Sequence, residues 1–146
     1  VYKRQTLSPE LFQPIHVVTI ACLIEFLVNV EEHTIRISNE SIEKLFFEDY
    51  ELNMKPEDET YISEKSNKIL EKLDEIDGMI NQEAKGWTTE RMGKIELTIL
   101  RLAIYEIKFD EDVPAGVAIN EAVEIAKKFG QEESAGFVNG VLAKFV

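Results

Sequence analysis

"PAGVAINEAVEIAKKFG", residues 114–130, carries the marks of a single amphipathic helix. Pro114 suits a first helical position, because its φ is preset and the missing N–H would have no partner there. Ala118, Ile119, Ala122, Val123, Ala126 and Phe129 recur at steps of three and four and form one apolar face. Glu124 and Lys128 are spaced for an i, i+4 pair on the opposite face. The paired lysines near the end complement the helix dipole, and Gly130 supplies a stop.

The flanking segments follow the same period. Downstream, "SAGFVNGVLAKFV", residues 134–146, repeats Phe137, Val138, Val141, Leu142 and Phe145 at helical spacing. Upstream, "DEDVP" reads as a loop, preceded by a helix from Thr89 to about Phe109. Its apolar stripe is Met92, Ile95, Ile99, Leu102, Ala103 and Ile107, with Glu90 and Lys94 paired outside. In "KGWTTERM", Gly86 ends one helix and Thr88 caps the next. Trp87 and Met92 then take the positions of a hydrophobic staple. Pro56 starts a further helix with the stripe Tyr61, Ile62, Lys65, Ile69, Leu70 and Leu73, and Asp77 and Gly78 mark a break before Ala84.

In the first third, Ser8 and Pro9 form a helix start and Ser38 or Asn39 caps "ESIEKLFFEDY". The run "IHVVTIACLIEFLVNV", residues 15–30, is the most apolar segment. Glu25 and Asn29 interrupt it, and about 18 apolar residues are wanted for a membrane span, so it reads as a buried core helix. The chain begins at Val1, and residues 1–7 are not taken as a natural start. The expectation is an all-α fold of about seven helices without a strand, one domain over residues 8–146. Its two sub-bundles are expected at about 8–84 and 86–146.

Several classes of function are disfavoured by composition. Of 146 residues, one is cysteine (Cys22) and two are histidine (His16 and His33), in no metal-binding spacing. A single cysteine also excludes an internal disulfide and suits the cytoplasm. Nucleophile elbows, phosphate loops and dinucleotide fingerprints are all missing, so neither catalysis nor a cofactor is expected. The formal net charge is −12, which opposes non-specific attachment to nucleic acid. Residues 1–85 hold 18 acidic against 9 basic residues, so most of that excess lies before the helices that follow Gly86.

Two groups of residues stand out. Arg101, Glu106, Asn120 and Glu121 sit beside apolar stripes and read as a structural network between helices, since a partly buried charge needs a partner. In the closing helix, Gly136 and Gly140 share a face, and each costs about 0.5–1 kcal/mol relative to alanine. Two readings account for them. Either the glycines allow a neighbouring helix to pack closely, or they open a surface where Phe137 stacks on a nucleic-acid base while Asn139 and Lys144 make polar contacts.

"GWTTERMGKIELTILRLAIYEI", "DVPAGVAINEAVEIAKKFG" and "SAGFVNGVLAKFV" together resemble the NusB family of transcription antitermination factors, from about Glu57 to Val146. The resemblance implies two small helical bundles and no catalysis. It implies binding to the boxA element of nascent RNA with NusE, the small-subunit ribosomal protein, in the company of other Nus factors and RNA polymerase and with no membrane. It associates Glu133, Ser134, Phe137, Asn139 and Gly140 with RNA contact. It assigns Arg101, Glu106, Asn120 and Glu121 to the helix framework.

The chain departs from the family at Val17, Val18 and Thr19, where arginines are expected, and at Gly136, where many members have lysine. Fewer phosphate contacts weaken binding and flatten its salt dependence. The same departures leave two further readings: a NusB-like protein–protein adaptor with weakened or lost RNA binding, and a detached NusB-like domain of a ribosomal RNA methyltransferase.

Overall fold

The computed structural model describes residues 56–146. The expected helices at 8–50, with Cys22, both histidines and the Val17–Thr19 departure, lie outside the described residues. Five α-helices occur among those described: α1 (Pro56–Glu71), α2 (Leu73–Glu83), α3 (Lys94–Phe109), α4 (Ala115–Phe129) and α5 (Ser134–Leu142). Two 3-10 turns, Thr89–Arg91 and Ala143–Phe145, complete the set, and no strand occurs among the described residues. The all-α expectation holds. The chain divides between Lys68 and Ile69, so that Ile69–Val146 belong to one compact unit. That boundary lies upstream of the one expected near residues 84–86, because α2 packs with the helices that follow it.

Before the boundary, Lys65 of α1 is buried, which a lysine tolerates only with its ammonium partnered. Its Nζ donates to the Tyr61 hydroxyl at 2.7 Å and lies 5.3 Å from that ring's centroid.

Within Ile69–Val146, the first break falls at Lys72 and not at the expected Asp77–Gly78. Gly78 lies inside α2 on its exposed side, while Ile76 and Ile80 are fully buried on the other. Burial of two isoleucines outweighs the roughly 1 kcal/mol that glycine costs a helix. Gly86 ends this segment as expected. Its φ of 82° lies in the left-handed region that favours glycine.

The long helix expected from Thr89 is shorter. Thr88 makes no side-chain cap; instead the Asn81 side-chain oxygen accepts from the Thr89 N–H at 2.8 Å. Met92 and Gly93 are extended, Met92 is buried, and α3 begins at Lys94. With a 3-10 turn in place of the first α-turn, the staple register between Trp87 and Met92 is not formed.

α3 is the central helix. Leu97 through Glu106 are buried without interruption, so it is enclosed on every side and not along one stripe. α2, α4 and α5 pack against it. Thr98 is satisfied within the helix, donating to the Lys94 carbonyl at 2.6 Å. In the next loop the Asp110 carboxylate accepts from the Asp112 N–H at 3.0 Å, a local turn that leads to Pro114.

α4 buries Ala118, Ala122, Ile125 and Ala126. Three alanines on one face permit close approach of its neighbours. Glu124 pairs with Lys127 at 3.3 Å, and Lys128 lies over the Phe129 ring at 5.6 Å. Gly130 ends the helix, but at φ −91° it is not left-handed. It is needed for space: a Cβ there would lie 2.6 Å from the Ser134 Cβ and 2.7 Å from the Ala126 carbonyl oxygen.

Candidate nucleic-acid interface

The closing helix buries Ser134, Val138, Val141 and Leu142, and Phe145 follows on the 3-10 turn. The remaining positions face out: Gly136, Asn139 and Gly140 are exposed, and Phe137 is half-buried. A Cβ built at Gly136 or Gly140 meets nothing within 4 Å among the described residues. Close helix packing therefore does not explain these glycines. They leave a strip of bare backbone open to solvent, bordered by a phenyl ring and a carboxamide. Gly140→Ala tests the point. With a helical backbone and open space, the substitution is expected to stabilise the protein by about 0.4–1 kcal/mol. A lower melting temperature would mean that the site is closed.

The other predicted contact residues are placed differently from one another. Glu133 is exposed at the start of the helix. Ser134 is buried and its hydroxyl is committed on both sides. It accepts from the Gln131 N–H at 2.8 Å and donates to the Glu96 carboxylate at 2.5 Å. That bridge ties the start of α5 to the first turn of α3, so Ser134 positions the surface from beneath. Lys144 is exposed, and its Nζ donates to the Glu83 carbonyl at 2.8 Å, fastening the last turn to the end of α2.

Beside Phe137 lies a cleft of ≈ 760 Å3. Its walls include Trp87, Arg91, Glu96, Glu133, Gly136 and Phe137. The indole and phenyl rings meet edge-on, with centroids 5.7 Å apart at 69°. Helical spacing gives Trp87 the place of a staple and marks nothing at Arg91, yet both line the cleft. The available signal was a tryptophan directly after the left-handed Gly86, a turn that aims the ring away from the helix.

Of the expected structural network, Arg101 has a partner that the sequence did not suggest. Arg101 is 4% exposed and makes two bonds to Asp77, Nε to Oδ1 at 2.8 Å and Nη2 to Oδ2 at 2.6 Å. Asp77, read from sequence as a helix break, is thus the anchor between α2 and α3. Glu106 is buried on α3, and Glu121 is half-buried on α4. Asn120 is exposed, which takes it out of any buried network. No group of three His, Cys, Asp or Glu side chains fit to hold a metal occurs among the described residues. No helix among them is long and apolar enough to cross a membrane.

Comparison with known proteins adds the family. The model of the NusB family matches residues 19–146. The transcription antitermination protein NusB of Agathobacter rectalis is 48% identical over 123 residues, which cover 84% of this chain and 92% of that protein. In structure, NusB from T. maritima superposes with a TM-score of 0.71 at 27% identity, over 91% of this chain and 89% of that one. The antitermination factor NusB in a crystal structure with NusE and dsRNA shares the fold with a TM-score of 0.70 at 21% identity, over 94% of this chain and 97% of that one. A family match over most of the chain, with close to half of the aligned residues identical to a curated relative, has one consequence: this chain belongs to the NusB family.

Proposed function

We propose that this protein is a cytoplasmic RNA-binding antitermination factor that binds the boxA element of nascent RNA with NusE and supports transcription of ribosomal RNA operons. Other Nus factors and RNA polymerase are engaged through that complex. The observation that carries this reading is the open face of α5, where Gly136 and Gly140 leave room beside Phe137 and Asn139. Single-stranded bases are held by stacking on aromatic side chains, and an approaching sugar–phosphate backbone needs space. The fold relative crystallised with NusE and dsRNA lends support to the same partners.

Charge sets the role of the partner. A chain of net charge −12 repels RNA at long range, and each phosphate contact missing from it removes about 0.7 log unit of salt slope on a single strand. A basic partner supplies positive charge to the shared surface. This protein alone is therefore expected to bind boxA RNA weakly, and NusE is expected to restore most of the affinity. The experiment titrates labelled boxA RNA with this protein, with NusE, and with both, at two salt concentrations. Tight binding by this protein alone, with a steep salt slope, would refute the electrostatic division of labour. Failure of the pair to bind boxA RNA at all would refute the function and favour the adaptor reading. Gly140→Ala gives a second readout: the variant that stabilises the helix should lower RNA affinity.

A further inference from the structure

We propose that the cleft between α5 and the 3-10 turn Thr89–Arg91 is a pocket for one unpaired RNA base, with Trp87 and Phe137 as its stacking walls and Arg91 on the adjoining phosphate. The proposal rests on the RNA-binding reading above and adds a site to it.

Gly86 sets the path of the chain into the cleft. Its left-handed backbone turns the chain sharply, and the Trp87 N–H is held by the Ala84 carbonyl at 3.0 Å. The indole is thereby placed outward and remains 45% exposed, although it is among the largest apolar side chains available for burial. Phe137 stands against it edge-on, at 5.7 Å between centroids. Gly136 contributes no side chain, so the mouth of the cleft stays open next to both rings. The volume of ≈ 760 Å3 lies in the range of about 300–1,000 Å3 found for small-ligand sites.

Charge decides which end of a nucleotide enters. Glu96, Glu132 and Glu133 line the cleft, and Arg91 is the cation among its lining residues. A phosphate inside would face three carboxylates, whereas an uncharged base would not. Arg91 already lies over the Trp87 ring, with Cζ 5.4 Å from the centroid, and its Nη1 donates to the Gly86 carbonyl at a long 3.4 Å. A base stacks on an exposed ring more strongly than a guanidinium caps it. The base takes the ring face from Arg91, and the displaced guanidinium pairs with the phosphate outside the acidic wall.

Trp87 is the one tryptophan of the chain, so its emission reports on the cleft directly. The experiment titrates the full chain, with NusE present, with labelled boxA RNA, and follows RNA anisotropy and tryptophan emission together. The same titration with Trp87→Phe supplies the partner's background. The expected result is saturable quenching of Trp87 with the same midpoint as the anisotropy change. Trp87→Ala should weaken RNA binding about tenfold or more. Arg91→Gln should weaken it less and lower the salt slope by about 0.7 log unit. RNA that binds without changing Trp87 emission, and equally well to Trp87→Ala, would overturn the pocket and leave the RNA-binding function intact. Quenching by NusE alone would assign the cleft to the protein partner, and quenching by free nucleoside monophosphates as tight as by RNA would assign it to a small nucleotide; each overturns the proposal. Loss of anisotropy change in the unmodified complex would overturn the function and the pocket together.

Discussion

Asp77→Ala is expected to lower the melting temperature by about 6–12 °C. Arg101 is buried in the central helix, and its guanidinium makes two hydrogen bonds to the Asp77 carboxylate. Its remaining Nη1 is buried without a hydrogen-bond partner among the described residues. Removing Asp77 takes away the one anion that pairs with this enclosed guanidinium among the described residues. Breaking a buried pair from one side costs about 3–5 kcal/mol. The Asp77 side chain is 22% exposed, so water can partly replace it, and the lower end, about 3 kcal/mol, applies. At about 2–4 °C per kcal/mol for a chain of this size, the stated shift follows. Thermal melts followed by circular dichroism measure it. The control is Arg101→Met combined with Asp77→Ala, which removes the charge with its partner and should recover much of the loss. A single variant that melts within 2 °C of the parent would show that the pair is screened and contributes little.

Phe137→Ala is the second large effect, and it falls on binding more than on folding. A fully buried phenylalanine costs about 3–5 kcal/mol when truncated. Phe137 is half-buried and keeps one edge toward Trp87 and the cleft, so its loss should cost clearly less than that. Affinity of the complex with NusE for boxA RNA should fall about tenfold or more, as expected for one stacked base. The two quantities are separated by measuring a melt and an RNA titration on the same preparation. Collapse of the melt, with unchanged affinity in the folded fraction, would make Phe137 a core residue and remove it from the interface.

Both variants touch residues whose roles were legible to different degrees. Phe137 was identified from its place beside two glycines, together with the family resemblance. Asp77 was misread because an aspartate before a glycine is a common turn signal, and nothing local says that an arginine 24 residues later will need it. Trp87 was seen, but as a staple within a helix that the structure replaces by a 3-10 turn. Ser134 was carried as a contact residue, although its hydroxyl is used inside the fold by Gln131 and Glu96.

The sequence by itself determined the helical class, the loop before Pro114, the stop at Gly86, the acidic charge and the family. These follow from information that is local or summed: a period of 3.6, a residue that tolerates positive φ, a count of charges, a motif in order. Tertiary structure alone decided what each helical face meets. Periodicity shows that Gly136 and Gly140 share a side, but only the packing of α5 through Val138, Val141 and Leu142 turns that side to solvent. Periodicity likewise gave α3 one stripe, whereas it is buried all round, with α2, α4 and α5 among its neighbours, and the enclosed Arg101 meets Asp77 of α2. The physical reason is that a helix repeats its own geometry from residue to residue, while burial depends on where other helices cross it.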